Sequence, residues 1–329
     1  MTFLQIGLGS MGKRRIRNLL ANKIPAKNIY GFDLSEERRQ ETEELYDVKT
    51  FSNFKTAVKE VQPDAYIIST PPNLHAAYFL HAAKLNKHFF VEVATTDDGY
   101  KKLFLLLKKN TSVSAPSCNF RYYEPIQKMK QFLDAGKIGR IEAFAHHMGQ
   151  YLPDWHPWED YRKFYVSQAA TSACREMVPF EMQWLQWLLG QKFTQAVGLF
   201  DKTSDLEMKT ADTYAVALKT KNHIIGTLLV DVVSRVPFRT LRILGSEGVI
   251  EWDLTSRKIR LFEVKKKKWT TLAVRKGRKL KGYAVTTEDM YEVEIKSFLD
   301  AIAGKEKYPY TFQEEYENLG LLRKIEARK

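Results

Sequence analysis

Apolar residues in the first third of the chain fall into short continuous runs, separated by stretches where they recur every three or four positions. The segments Phe3–Ile6, Asn28–Asp33, Asp64–Thr70, His88–Val93 and Val113–Cys118 have the unbroken apolar character of strands covered on both faces. Between them, Lys13–Leu20, the stretch from Ser35, Ala76–Leu85 and Lys101–Lys109 carry helical periodicity. Strand and helix alternating in this way predict a doubly wound parallel sheet over residues 1–118.

Beyond Cys118 the rhythm changes. Ile126–Leu133 is helical in pattern and closes at Gly136, a C-terminal cap, and Ile141–Met148 has strand character. Pro179–Gly190 predicts a buried helix, apolar nearly all round, with proline in its opening turn and glycine at its stop. Thr213–Leu218, Ile224–Val233, Phe238–Leu244, Val249–Leu254, Lys258–Val264 and Trp269–Val274 are short strands without helices between them, which predicts an open, mainly antiparallel sheet. The helices Asp289–Ile302 and Gln313–Ala327 are amphipathic and expected to pack back on the core. The predicted class is therefore α/β, an N-terminal doubly wound domain at 1–118 followed by an α+β domain at 119–329.

A length of 329 residues suits two domains, and 44% hydrophobic with 28% charged residues describes an ordinary globular chain. No apolar run is long enough to cross a bilayer, and a strand beginning almost at Met1 leaves no room for a signal peptide, so a cytoplasmic protein with no membrane partner is expected. Two cysteines, Cys118 and Cys174, have neither the number nor the spacing of a disulfide framework or metal site. Both are expected to be reduced thiols, and no metal is expected. The net charge of +13 raises an anionic partner, either nucleic acid or a phosphorylated cofactor or substrate. Its densest clusters, Lys265–Lys268 and Arg275–Lys279, fall on strand edges where lysine resists strand addition, so no nucleic-acid partner is expected.

Chemistry concentrates at the strand ends. The first strand breaks into a GxGxxG loop, Gly7, Gly9, Ser10, Met11 and Gly12, and continues as a helix, the arrangement that places a pyrophosphate on a helix N-terminus. Asp33 closes the second strand about twenty residues on, where an acid accepts the ribose hydroxyls of NAD and repels the 2′-phosphate of NADP. Arg38 and Arg39 follow it, so NADP is the less favoured cofactor. Asp33 also fits a second role, as N-cap of the helix beginning near Ser35. Ser69, Thr70, Pro71, Asn73 and His75 follow the third strand, and Glu92 ends the fourth. A long loop, Tyr151–Arg162, rich in Trp, Tyr and Pro, is expected to wall a pocket.

Gly7–Gly12, Asp33, Ser69–His75, Val91-Glu92 and Lys137–Ile141, in that order, resemble the Gfo/Idh/MocA family over nearly the whole chain. The resemblance implies a Rossmann domain, a second domain whose open sheet mediates homodimers or homotetramers, a nicotinamide cofactor, and oxidation or reduction of a carbinol on a sugar or polyol. Two departures accompany it. Val93 stands where the family shows lysine after the fourth strand, and Phe180 where it shows the active-site histidine. The resemblance places Glu176 at the family's active-site aspartate, and the segment from Gln150 to Glu181 looks like a branch tied to surface-sugar and nucleotide-sugar pathways.

With both usual positions changed, proton transfer falls to another group near the cleft. Glu176 is the first candidate, Glu181 and His156 the others, with Tyr122 and Tyr161 behind them. Glu181 shares an apolar face with Leu185 and Leu188 and needs a partner if buried, Arg175 or Arg121. Arg121, Arg162 and Arg175 have the fork geometry that clamps phosphate or carboxylate. Trp155, Tyr122 and Tyr161 are expected to contact a sugar. A second function class stays open, a dinucleotide- or sugar-binding sensor or partner subunit without turnover.

Overall fold

The computed structural model describes every residue except Trp158, Phe164, Lys276, 279–286 and 328–329. Trp158 of the aromatic loop, and Lys276 and Lys279 of the second basic cluster, lie outside the described residues. The first eleven elements alternate: β1 (Phe3–Ile6), α1 (Ser10–Ala21), β2 (Ile29–Phe32), α2 (Glu36–Tyr46), β3 (Lys49–Phe51), α3 (Phe54–Val61), β4 (Ala65–Ile68), α4 (His75–Lys84), β5 (His88–Val91), α5 (Tyr100–Leu107) and β6 (Ser114–Pro116). There follow α6 (Glu124–Asp134), β7 (Ile141–Gly149), α7 (Ala173–Leu189), β8 (Phe193–Asp201), β9 (Thr213–Thr220), β10 (Ile225–Asp231), β11 (Phe238–Gly245), β12 (Gly248–Asp253), β13 (Lys258–Glu263) and β14 (Lys268–Ala273). The chain ends in α8 (Asp289–Ile302) and α9 (Phe312–Glu326).

Two compact units result. One comprises Met1–Cys118 and Tyr291–Tyr316, the other Asn119–Met290 and the chain from Glu317 onward. The apolar pattern marks the break at Cys118 but keeps everything beyond it in the second domain. The return of Tyr291–Tyr316 to the first unit has a packing cause. Ile295 and Phe298 of α8 are fully buried in one core cluster with Phe3, Leu8, Ile16, Leu19, Ile29, Ile67 and Phe90. At about 1.5–3 kcal/mol for each large apolar side chain removed from water, that contact outweighs sequence order.

The first unit holds six parallel strands in the order β3-β2-β1-β4-β5-β6. β1 and β4 are buried at every position, which is why their sequences show no alternation. Sequence order reverses between β1 and β4, so the carboxyl ends of these strands form the crevice where ligands bind in such sheets. β3, only three residues long, has too short a run to be read from the sequence.

The second unit carries eight strands in the order β14-β13-β12-β11-β7-β10-β9-β8. Every pairing is antiparallel except that of β10 with β7. Along β7 the buried Phe144, His146 and Met148 alternate with Ala143, Ala145 and His147 on the opposite face. The helix predicted to start at Pro179 begins at Ala173, leaving Pro179 in its interior. Interior proline costs about 3 kcal/mol. Burial of Val178, Met182, Trp184, Leu185 and Leu188 on the same helix exceeds that.

A buried carboxyl gives the first unit a pH dependence. Glu315 accepts the Tyr100 hydroxyl at 2.5 Å and the Ala94 N–H at 3.4 Å, and its burial pushes it from 4.5 up to about 7. Between those values the folded chain holds a proton that the unfolded chain has lost, so this group's contribution falls as pH rises through that window, by about 1.4 kcal/mol per unit. Glu315→Gln should therefore gain stability relative to the unaltered protein between pH 5 and pH 7.5, read from urea unfolding. Parallel pH profiles for the two proteins would refute the assignment.

Candidate functional site

The glycine loop is fixed by close approach. Gly7 has φ +84°, and a Cβ there would lie 2.7 Å from the Ser69 carbonyl oxygen. A Cβ on Gly12 would lie 1.8 Å from the Gly7 carbonyl oxygen, so only glycine lets α1 start against β1. Gln5 braces the turn from below, its Nε2 donating to the carbonyls of Ile6 at 3.2 Å and Gly7 at 3.1 Å. Gly9 differs from both: a Cβ there would meet nothing nearer than Arg38 Nη1 at 3.8 Å. Packing does not require glycine at this position, and the space over it is open. Gly9 is also the N-cap of α1, with no side-chain cap, and Ser10 and Met11 open a first turn without an acid, which leaves backbone N–H groups directed at that space.

Asp33 organises the far side of the loop. Its Oδ2 accepts the Leu8 N–H at 2.7 Å and its Oδ1 the Ser35 N–H at 2.9 Å. Ser35 is the N-cap of α2, accepting the Arg38 N–H at 3.3 Å, so the capping role open to Asp33 in the sequence falls to Ser35. Each carboxylate oxygen keeps a lone pair for a further donor. Arg39 Nη1 donates to the carbonyls of Asp33 and Leu34, while Arg38 Nη1 stands 3.9 Å from Asp33 Oδ2.

At the end of β4, Ser69 Oγ lies 3.4 Å from Glu92 Oε1 at the end of β5. Pro71 leads into a 3₁₀ turn, Pro72–Leu74, which carries the exposed Asn73. His75 opens α4 and is buried, its Nε2 2.8 Å from the Thr70 carbonyl. Burial depresses His75 to about 4, so the imidazole is neutral, with its proton on the nitrogen that faces the carbonyl. His75 Nδ1 and Thr70 Oγ1 are buried with no hydrogen-bond partner among the described residues. Open space over Gly9, a ribose-type acceptor at Asp33 and polar atoms held in reserve beyond β4 together fit a dinucleotide.

The second unit holds the other candidates. Glu176 lies in the first turn of α7, partly exposed, with Oε2 shielded from solvent. Glu181 is wholly buried on the same helix, and its partners are neither Arg175 nor Arg121. Oε1 accepts Arg239 Nε at 2.9 Å, and Oε2 accepts Trp184 Nε1 at 2.8 Å and lies 2.8 Å from His146 Nε2. Burial alone would raise this carboxyl, but Arg239 and His146 overcome it and hold it at about 2. A carboxylate so enclosed and so acidic is a poor proton acceptor, which corrects its candidacy as a catalytic base.

Phe180 packs edge-on against Phe120 at 5.1 Å, so an aromatic ring fills the position where resemblance leads one to look for histidine. Phe120 belongs to the turn Asn119–Tyr122, which sets Arg121, itself buried, and Tyr122 beside α7. Arg175 is committed to Glu326 at 2.8 Å and to the Ala170 carbonyl at 2.6 Å. Arg162 is held by Asp160 at 2.8 Å and Glu207 at 3.0 Å. Tyr161 accepts the Glu207 N–H, and His156 Nδ1 sits 3.2 Å from Glu159. Trp155 Nε1 is buried without a hydrogen-bond partner among the described residues.

Three residues with evident polar roles carried no sequence signal: Arg15, His146 and Arg239. Each is buried and meets its acid across 35 to 77 positions of chain.

Comparison with known proteins places this geometry. The model for the oxidoreductase family with an NAD-binding Rossmann fold matches residues 1–115, and that for the GFO/IDH/MocA C-terminal domain matches 126–251. Inositol 2-dehydrogenase from Salmonella typhimurium is 20% identical over 313 residues, covering 90% of this chain and 84% of that one. Levoglucosan dehydrogenase from Pseudarthrobacter phenanthrenivorans is 33% identical over 97 residues, a match spanning 28% of this chain and only 24% of that relative. Among solved structures, levoglucosan dehydrogenase in complex with NADH and levoglucosan superimposes with a TM-score of 0.84 at 17% identity, over 99% of this chain and 96% of that one. The WlbA dehydrogenase from Bordetella pertussis, in complex with NADH and UDP-GlcNAcA, gives 0.79 at 17% identity, over 99% and 95%. The chain belongs to the Gfo/Idh/MocA family of NAD-binding oxidoreductases.

Proposed function

We propose that this protein is a cytoplasmic, NAD-dependent dehydrogenase that transfers a hydride between the nicotinamide and a carbinol of a sugar or nucleotide-sugar derivative, in surface-sugar biosynthesis. The open space over Gly9, which no packing contact explains, is the observation that carries cofactor binding. Relatives crystallised with levoglucosan and with UDP-GlcNAcA support the substrate class. A bound nicotinamide supplies the hydride acceptor or donor. The chain supplies the rest. Backbone N–H groups at the start of α1 receive the pyrophosphate, Asp33 accepts ribose hydroxyls, and Thr70, His75 and Glu92 hold the far half.

Glu176 takes the hydroxyl proton in this reading, being the acid of α7 that stays partly exposed while Glu181 is locked. The buried, unsatisfied Trp155 N–H favours a polar ligand in the aromatic loop, with Arg121, Tyr122, Tyr161 and His156 as further contacts. No helix among the described residues is long and apolar enough to cross a membrane.

Assembly follows from the outer face of the eight-stranded sheet. Register sets Leu199 opposite Ala215 and Ala215 opposite Leu229, with Val197, Ala217 and Thr227 in the adjoining row. Leu199 is 81% exposed and Val197 45%. An apolar strip of this kind, continued by a groove of about 680 Å³ past His147 and Arg242, fits a second copy of the chain.

Incubation with NAD and a panel of free and nucleotide-linked sugars, followed by the absorbance of reduced nicotinamide, should reveal turnover. Silence across the panel with NADH still bound would favour the sensor reading. With an active substrate in hand, Glu176→Gln should lower kcat by a factor of about 100 or more, and an unchanged kcat removes Glu176 as the base.

Asp33→Ala should weaken NAD binding about tenfold while leaving NADP little affected, a loss of about one charge-assisted hydrogen bond. A tenfold preference for NADP in the unaltered protein would contradict the role given to Asp33.

Light scattering on a sizing column should return a dimer or tetramer that Leu199→Lys shifts to the monomer. A monomeric unaltered protein at 50 µM, roughly the range in which weak interfaces still form, would count against assembly through this face.

A further inference from the structure

Arg15 lies on α1 with no exposed surface. Its Nε donates to Glu92 Oε1 at 2.6 Å and its Nη2 to Glu92 Oε2 at 3.0 Å, a two-pronged fork, and Nη2 also reaches Ser117 Oγ at 3.3 Å. On the other side Nη1 stands 2.7 Å from Glu294 Oε2. Glu294 is itself anchored, its Oε1 accepting the Ser117 hydroxyl at 3.0 Å and the Cys118 N–H. The guanidinium is flanked by the rings of Phe90 at 4.5 Å and Tyr291 at 5.3 Å. Position and rotation of the Arg15 fork are therefore set by the core.

The cluster is asymmetric. Side chains of Arg15 and Glu294 are wholly buried, whereas Glu92 keeps 13% of its surface, beside Ser69 at the carboxyl edge of the sheet. An ion pair that served stability alone would gain nothing from leaving its acid at the one edge where ligands bind. Two prongs on one carboxylate fix its plane; Ser69 Oγ takes the second acceptor site of Oε1 at 3.4 Å, and Oε2 keeps a lone pair for an outside donor. The donors a dinucleotide offers at that edge are its ribose hydroxyls and carboxamide N–H.

We propose that Arg15 is a positioning residue for the cofactor, holding the Glu92 carboxylate in a single orientation in which it accepts a hydrogen bond from the dinucleotide, with Glu294 as the buried counter-anchor. This rests on the reading of Glu92 as a cofactor contact.

The test is titration of the full chain with NADH, followed by nicotinamide fluorescence, with a urea unfolding curve for each variant. Glu92→Gln should weaken NADH binding about tenfold, the worth of one hydrogen bond to a charged group. Arg15→Met strands Glu294 in the core, so it is paired with Glu294→Gln to leave no lone buried carboxylate. That double variant should weaken binding by a similar factor. Adding Glu92→Gln to it should cost little more, because an unpositioned carboxylate has already lost its contact. Arg15→Lys, which keeps the charge but not the fork, should fall between. If Glu92→Gln leaves affinity unchanged, the reading of Glu92 fails and this proposal with it. If Glu92→Gln weakens binding while Arg15→Met/Glu294→Gln unfolds at lower urea yet binds NADH within twofold, Arg15 is structural only and the proposal is overturned. Losses that multiply in the triple variant overturn it as well.

Discussion

Taking a guanidinium wholly out of water costs several kcal/mol, and a fold that does so must surround it with carboxylates placed to within a few tenths of an ångström. Arg15 imposes that constraint on the first unit. Its two acids come from the end of β5 and from α8, and the hydroxyl beside it from the end of β6. Four segments far apart in the sequence converge on one cation. The glycine loop begins the same helix that carries Arg15, so the phosphate-binding end of α1 and its buried charge are registered to each other through one rigid element. Close packing of Gly12 on Gly7 then leaves α1 no freedom to slide along β1.

The second unit solves a related problem with a different cluster. Glu181, His146, Arg239 and Trp184 form a satisfied polar knot between α7 and the inner face of the sheet. His146 and His147, neighbours in sequence, serve opposite faces. The first meets Glu181, and the second pairs with Asp231 at 2.7 Å and stacks edge-on against Phe238. A fully satisfied buried network specifies one arrangement of helix on sheet where apolar packing alone would tolerate several. It also encloses Glu181 completely, while Glu176, nearer the helix start, stays partly exposed.

Local spacing made much of this legible. The glycine loop, Asp33 and the residues after β4 lie at short, fixed separations from strand ends, and periodicity placed most strands and helices within a few residues. Short β3 carried too few residues to register, and β8, whose exposed Val197 and Leu199 blur its alternation, went unread. Pro179 misplaced the start of α7 because local propensity argues for a first turn, and tertiary burial overrode it. What no pattern could supply were pairings across long stretches of chain: Arg15 with Glu294, Glu181 with Arg239, β7 with β10. Each depends on which segments the fold brings together, and either partner alone resembles an ordinary charged or apolar position.

The return of Tyr291–Tyr316 to the first unit has a consequence for how the protein is made. A ribosome releases residues 1–118 long before α8 exists, and at roughly 5–20 residues per second the wait for Ile295, Phe298 and Glu294 lasts on the order of ten seconds or more. Throughout that interval the nascent nucleotide-binding sheet lacks part of its core and one of the two acids that neutralise Arg15. Completion of the cofactor-binding unit is thereby tied to the synthesis of α8, and a chain cut short after residue 118 would have the glycine loop but not the interior that holds it.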